Sequence, residues 1–184
     1  RPLYDPKASE QARYRALFNR AALLVYGGSG LRLTEGITLR RDKVDPRGFL
    51  TVIAKGGVEQ VRIAPDEVIA AVQDWVVAYT EWEKHDSPWV FPGKNPAVHL
   101  ARGAMQTRIR ELFKLASIQG AKVHSLRHTV GAQLRALNSD LRDIQDVLGH
   151  KDVKTTQLYT QMASEELRSR LPKRNLGIAQ RRLM

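Results

Sequence analysis

The segment from His124 to Tyr159 concentrates side chains that could act on a phosphodiester. His124 and Arg127 stand three residues apart at the predicted start of a helix, so they share one face. A guanidinium fork matches two phosphate oxygens, and an imidazole can exchange a proton near neutral pH. His150 follows a predicted helix end, and Tyr159 supplies a hydroxyl nine residues later. These residue types predict nucleophilic and acid–base chemistry at an anion.

Each of these residues also has an ordinary structural explanation. A His-x-x-Arg pair can form a surface ion pair or include a core histidine, and a single tyrosine on a helix usually packs. A tyrosine hydroxyl has a pKa of about 10, so it needs nearby cations or a base to become a nucleophile. His128, the next position round the helix, is predicted to pack or to hydrogen-bond structurally rather than to react.

Composition indicates a basic globular protein of one domain. The chain has 184 residues and 30 Lys plus Arg against 19 acidic residues, giving a net charge of +11. Nucleic acid is the first polyanionic partner to consider, and an anionic membrane surface is the second. No apolar run has membrane-spanning length and no secretory signal is visible. The absence of cysteine excludes disulfides, thiolate metal sites and cysteine nucleophiles, and it favours an intracellular protein.

Hydrophobic periodicity predicts an α+β fold that is mostly helical, with helices packed around one small antiparallel sheet. The predicted helices cover residues 5–26, 32–40, 65–84, 103–118, 125–138, 139–149, a stretch from 152 that carries Tyr159, and 164–170. Two β-rich runs, 48–55 and 59–64, flank Gly56 and Gly57 and predict a hairpin. The apolar and aromatic stripe of 65–84 is expected to face the core rather than to stack on bases.

Two glycine positions qualify this prediction. The cluster Gly27–Gly30 is expected to stop the first helix, because a phosphate-binding loop would need a strand before it. Gly36 lies inside the second predicted helix, where glycine costs about 1 kcal/mol relative to alanine.

Five short motifs, taken in order, resemble the catalytic domain of the tyrosine recombinase (phage integrase) family. The resemblance covers about residues 8–171. The motifs are Gly30-Leu31-Arg32-Leu33-Thr34-Glu35, Lys55 in a Lys-Gly-Gly hairpin, His124-x-x-Arg127-His128, Leu148-Gly149-His150 and Thr155-Thr156-x-x-Tyr159. Any one motif alone is weak evidence, whereas all five in the family's order and spacing are a strong signal.

The resemblance implies a role for each matching residue. Arg32 and Arg127 would clamp the scissile phosphate, and Glu35 would support the first arginine. Lys55 would be the general acid that protonates the departing 5′ oxygen. Three further roles are implied: His124 would assist proton transfer from the nucleophile, His150 would donate to the phosphate, and Tyr159 would form a 3′-phosphotyrosyl bond.

The implied chemistry needs no metal ion, ATP or other cofactor. Fixed guanidinium and imidazole donors stabilise the charge that gathers on the phosphate oxygens. The covalent bond to tyrosine conserves the ester, so rejoining is near thermoneutral. A lysine on a mobile hairpin tip would approach only when DNA is bound.

Residues 1–184 are predicted to form a single catalytic domain, with 172–184 a basic C-terminal tail. The family's amino-terminal core-binding domain is expected to be absent from this chain. Two interpretations of the tail stay open: it docks on a neighbouring protomer, or it is a disordered basic segment. Gly36 stands where the family usually has an apolar residue, which predicts looser packing of the Arg32 helix; Ser125 and Asn138 also depart from common family residues.

The resemblance implies a site-specific DNA recombinase or integrase acting on a double-stranded recombination site. It would work as a homo-tetramer on DNA and as a weak oligomer or monomer without it, with accessory DNA-bending proteins as further partners. We expect a cytoplasmic, nucleoid-associated protein of bacterial, phage or mobile-element origin with no membrane partner. Two alternatives are a type IB topoisomerase-like activity and a catalytically silent DNA-binding module. The complete residue set argues against the silent module.

Overall fold

The computed structural model describes residues 9–136, and their side chains as far as Gln133. Helices dominate this part of the chain and accompany one small antiparallel sheet, as predicted. The sheet has three strands in the order β1-β2-β3. The elements are α1 (Glu10–Gly28), α2 (Leu33–Ile37), a 3-10 turn (Arg41–Lys43), β1 (Val44–Asp45), β2 (Phe49–Ile53), β3 (Glu59–Ile63), α3 (Asp66–Glu83), α4 (Arg102–Leu115) and α5 (Val123–Ala136). The cap proposed at Asp5 and every helix predicted beyond residue 138 lie outside the described residues.

The first helix begins at a serine cap and runs past its predicted end. The Ser9 side chain accepts a hydrogen bond from the backbone N–H of Ala12. The cluster Gly27–Gly30 ends the helix as predicted, although α1 continues to Gly28, two residues past its predicted end. A Cβ at Gly28 would lie 2.6 Å from Val68 Cγ2, so the glycine allows α1 to approach α3 closely. The chain turns at Gly30, which has a φ of 63° and leads into α2.

Gly36 makes α2 tightly packed, which corrects the expectation of looser packing. A Cβ at this position would lie 2.5 Å from the ring of Tyr26. That ring is fully buried, and its hydroxyl donates to the Leu33 carbonyl at 3.3 Å. The tyrosine thus fills the volume that an apolar residue at position 36 would occupy. The helix is also shorter than predicted and ends at Ile37 rather than Arg40.

The predicted hairpin is confirmed as β2 and β3. Leu50 pairs with Arg62, and Ile53 pairs with Glu59 next to the turn. The Gly57 N–H donates to the Ala54 carbonyl across the turn at 3.1 Å, and Gly56 has a φ of 90°. Strand β1 was not predicted, because its two residues are too few to show an alternating pattern.

Aromatic rings on α3 face the core, with one exception. Trp75 and Tyr79 are buried, and the Trp75 indole N–H donates to the Val90 carbonyl at 2.7 Å. The core prediction is wrong for Trp82, which is 40% exposed and stacks on Tyr14. Residues 89–91 form an anchored loop, since an isolated bridge joins Trp89 to Arg40, and Val90 and Phe91 are buried.

The last two described helices begin earlier than predicted. Helix α4 ends at Leu115 instead of residue 118, and Ser117 rather than Gly120 takes the left-handed conformation just after it. Helix α5 begins at Val123, so His124 lies in its first turn instead of before it. Val130 of α5 is buried as predicted, and this helix packs against α1 and α4. Among the helices of residues 9–136, none has the length and apolar character to cross a bilayer.

Alanine substitutions at Gly36 and Gly103 should change stability in opposite directions, because only Gly36 lies against a buried ring. Gly36→Ala should lower the free energy of unfolding by about 1–3 kcal/mol, because the new methyl group overpacks a buried ring. Gly103→Ala in α4 meets open space and should be neutral or stabilising by up to about 1 kcal/mol. Urea denaturation of both variants measures the difference. A Gly36→Ala protein at least as stable as wild type would contradict the packing account.

Candidate active site

One open cleft of about 1220 Å³ contains three of the residues singled out from the sequence. It lies between α2, the β2–β3 hairpin tip and the loops before α4. Its lining includes Arg32, Thr34, Glu35, Thr38, Arg40, Lys55, Gln60, Trp89 and His99. Most of the ionisable groups in this lining are basic, so the cleft suits an anion.

Arg32 is held at the start of α2 by Glu35. One oxygen of Glu35, Oε2, accepts the Arg32 backbone N–H at 2.7 Å, and the other, Oε1, accepts Nη1 of its guanidinium at 2.7 Å. Glu35 is 1% exposed, whereas the Arg32 side chain is 38% exposed. The buried carboxylate therefore anchors a guanidinium group that still faces the cleft.

Arg127 reaches the same region from α5. Its Nη1 donates to the Gly30 carbonyl at 2.6 Å, and the residue is 6% exposed. Burial lowers the pKa of Arg127 to about 10; repulsion from Arg32 lowers it further, whereas attraction to Glu35 raises it. The guanidinium group stays charged at neutral pH. The mutual influence of Arg127, Arg32 and Glu35 shows that the fold brings these distant residues together.

His124 lies one helical turn before Arg127. Its ring and that of His128 meet at 4.6 Å with an angle of 86° between their planes. Partial burial lowers the pKa of His124, and the charges of His128, Arg127 and Arg32 lower it further. His124 is therefore neutral at physiological pH and can accept a proton. His128 is exposed and contacts His124 instead of packing in the core.

Lys55 occupies the tip of the hairpin. It is exposed and stands second in the turn Ala54–Gly57, on the rim of the cleft that contains Arg32. A Cβ at Gly56 or Gly57 would meet nothing within 4 Å, so both glycines of the tip face open space.

Arg62 belongs to this cluster but was not predicted. It is 2% exposed, its Nη2 lies 3.6 Å from Glu35 Oε1, and it also donates to Gln60 Oε1 at 2.6 Å. Burial lowers the pKa of Arg62, and Arg32 lowers it further while Glu35 raises it. The alternation in β3 is misleading: Val61 is 39% exposed, and the basic residue points inward. The available signal was its pairing with the apolar Leu50 across the hairpin.

The cluster as a whole carries excess positive charge. Three guanidinium groups, those of Arg32, Arg62 and Arg127, lie near the carboxylate of Glu35, so the positive potential of the cluster favours an anion. Within the side chains described, no group of three or more His, Asp or Glu is placed to hold a metal ion. His150 and Tyr159 lie outside the described residues, so their predicted roles stay predictions.

Comparisons with known proteins match both the motifs and the fold. The sequence pattern of the Phage integrase family matches residues 6–166. Tyrosine recombinase XerD of Rhizobium meliloti (strain 1021) is 34% identical over 142 residues, which are 76% of this chain and 45% of that protein. The chain spans about half the length of the curated relatives it matches.

Solved structures of recombinases superpose on the chain. The crystal structure of XerA recombinase gives a TM-score of 0.62 at 26% identity, covering 91% of this chain and 63% of that one. The XerH site-specific recombinase bound to difH substrate gives 0.63 at 19% identity, covering 83% and 45%, and supports the fold alone. Matched over most of its length, the chain belongs to the phage integrase family of tyrosine recombinases.

Proposed function

We propose that this chain is the catalytic part of a site-specific DNA recombinase that cuts and rejoins strands through a 3′-phosphotyrosyl intermediate. The observation that carries the proposal is the convergence of Arg32 and Arg127 near the buried Glu35, with His124 close enough to both arginines for their charges to lower its pKa. The half-exposed Arg32 and the exposed Lys55 line a basic cleft that suits a phosphodiester.

The proposed cleavage step balances its bonds and protons. The Tyr159 oxygen attacks the scissile phosphorus and forms the phosphotyrosyl ester while the bond to the 5′ oxygen breaks. His124 takes the phenolic proton, and Lys55 gives a proton to the departing 5′ oxygen. In the reverse step a 5′ hydroxyl attacks the phosphotyrosine, so one ester replaces another and no ATP is consumed.

Groups that are fixed before the substrate binds stabilise the negative charge that develops on the phosphate oxygens. Arg32 and Arg127 bind the non-bridging oxygens, and His150 adds a further donor. Glu35 supports Arg32 through two hydrogen bonds of 2.7 Å, which holds the guanidinium group in place while charge develops. Preorganised donors of this kind contribute on the order of 10²- to 10³-fold each in rate.

Other tyrosines of the described residues are unsuited to the nucleophile's role. Burial raises the pKa of Tyr14, Tyr26 and Tyr79 above the ordinary value. The Tyr14 hydroxyl donates to Glu83, and that of Tyr26 donates to a backbone carbonyl. These three hydroxyls lie outside the lining of the basic cleft, which supports the assignment of Tyr159.

We propose double-stranded DNA carrying a recombination site as the substrate. The relative XerH is a site-specific recombinase bound to its difH substrate, and a lambda integrase of the same fold is a dimer bound to a core site. The chain would act as a homo-tetramer on DNA, one strand being cut per active site, with accessory DNA-bending proteins as further partners. Its bacterial relatives suit a cytoplasmic protein associated with the nucleoid.

Tyr159→Phe should abolish covalent adducts, because phenylalanine lacks the attacking oxygen. Binding to the same DNA should change by less than about twofold, since one hydroxyl contributes little to phosphate contacts. The assay traps adducts on a nicked suicide duplex that carries the cognate site, identified beforehand by sequencing DNA attached to the protein in cells. Tyr14→Phe is the control and should form adducts normally, because its hydroxyl lies away from the cleft. Adduct formation by Tyr159→Phe would show that Tyr159 is not the nucleophile.

Lys55→Ala should be rescued by changing the leaving group. Cleavage of normal DNA should slow by about 10²-fold or more, since the alkoxide leaves unprotonated. A 5′-phosphorothiolate leaves without a proton, so the variant should then cleave at nearly the wild-type rate. Lys43→Ala should behave like wild type on both substrates, because Lys43 pairs with Glu59 and does not line the cleft. A defect of equal size on both substrates would point to another acid.

The cleavage rate should fall at acid pH with a midpoint below the ordinary histidine pKa. Burial and neighbouring cations lower the pKa of His124, so it stays neutral as pH falls toward 6.5 and loses proton-accepting capacity only below that. Single-turnover rates at subsaturating DNA report the free protein. The His124→Gln protein should cleave more slowly at neutral pH and should not lose further rate at acid pH. His85→Gln, a change beside Tyr79, should keep the decrease at acid pH. An unchanged decrease at acid pH in His124→Gln would assign the proton transfer elsewhere.

A further inference from the structure

We infer that Arg62 of β3 is a positioning residue for the phosphate clamp. By neutralising Glu35 it leaves the charge of Arg32 available to the phosphate, and it fixes the hairpin against α2. The inference rests on the proposed function and adds to it a residue that does not touch DNA.

The first support is the sharing of one carboxylate oxygen. Glu35 Oε1 accepts Arg32 Nη1 at 2.7 Å and lies 3.6 Å from Arg62 Nη2. Both Glu35 and Arg62 are almost fully buried, so water screens this contact little. Arg62 is absent from the lining of the cleft and contacts Glu35, Gln60 and the Val61 carbonyl instead, so its effect on catalysis passes through Glu35.

The second support is the charge balance of the cluster. Arg32 and Glu35 alone form a neutral pair, which would attract a phosphate weakly. Arg62 restores one positive charge to this pair. Glu35 can thus anchor Arg32 mechanically without cancelling its attraction for an anion.

The third support is the unfavourable environment that Arg62 occupies. Its Nε is buried and has no hydrogen-bond partner among the described residues, and its contact with Glu35 is longer than a hydrogen bond. An apolar side chain opposite Leu50 would often be as stable or more stable there. Stability alone therefore does not explain a charged residue at this position, whereas the charge balance does.

Arg62 also connects the two elements that carry the proposed acid and clamp. It lies on β3, five strand residues that pair with β2, and the turn between these strands holds Lys55. Its contact with Glu35 joins the base of this hairpin to α2. The hairpin tip can then move while its base keeps a fixed position relative to Arg32.

The test compares Arg62→Met with Arg108→Met in the full chain. Both changes remove one positive charge and one side-chain hydrogen bond to a neutral amide, since Arg108 donates to Asn19 outside the cleft at 2.7 Å. Single-turnover cleavage by the folded fraction should fall about 10- to 100-fold in Arg62→Met, as for groups that orient an active residue. Arg108→Met should stay within about threefold of wild type.

A double variant separates charge balance from packing. Glu35→Gln combined with Arg62→Met removes the carboxylate together with the charge that balances it. The charge of Arg32 is then available again, so the double variant should cleave faster than Arg62→Met alone. If Arg62 only packs, the second substitution adds a defect and the double variant is as slow or slower. If Arg62→Met does not fold, Arg62→Lys is tested instead. The lysine keeps the charge, so cleavage should stay within about fivefold of wild type although stability drops.

A cleavage-free measurement distinguishes this inference from the proposed function. Inorganic phosphate should raise the melting temperature of the wild-type and Arg108→Met proteins, and raise that of Arg62→Met by less than half as much. If the wild-type protein forms no DNA adduct, the proposed function fails and the phosphate measurement alone decides the inference. Wild-type cleavage by Arg62→Met, a slow double variant, a slow but folded Arg62→Lys, or equal phosphate effects would each overturn it.

Discussion

A buried carboxylate is the constraint on which the site depends. Glu35 is almost inaccessible to solvent, and an ionised carboxylate in that position is unfavourable unless cations and donors surround it. Arg32 supplies both a backbone N–H and a guanidinium group, and Arg62 supplies a second guanidinium group. The need to satisfy Glu35 therefore fixes the start of α2 and the inner face of β3 at the same time. An arginine at a surface without this partner would spread over many rotamers.

The backbone around this carboxylate is shaped by two close approaches. Gly36 lets the Tyr26 ring lie against α2, so the helix that carries Arg32 and Glu35 rests on the core without a gap. Gly30 turns the chain between α1 and α2, and its carbonyl accepts the Arg127 guanidinium. The same short segment thus positions Arg32 and anchors Arg127. Glycine at these positions permits the close approach and the turn, although it lowers helix propensity.

The site combines hydrogen-bonded arginines with an exposed lysine. The arginines are buried or anchored, and mutual repulsion with burial lowers the pKa of Arg127 while leaving it charged. The same cations lower the pKa of His124, which keeps that imidazole neutral beside them. Lys55 instead lies exposed on a glycine turn with open space around it. In the proposed reaction this arrangement would hold the phosphate before Lys55 approaches, which would tie proton donation to substrate binding.

The amino-acid sequence by itself determined the family, the mostly helical α+β class, the hairpin, and the approximate extent of α1, α3, α4 and α5. These follow from local causes: apolar periodicity, turn glycines, caps, and motifs whose order and spacing are informative without any contact. Tertiary structure alone decided that Arg62 faces Glu35, since β3 presents its apolar Val61 outward and its basic residue inward. It also decided the role of Gly36, because the ring that fills its space comes from another helix. Burial and pairing between distant segments set these features, and no local pattern encodes which side chain of a short strand will find a buried partner.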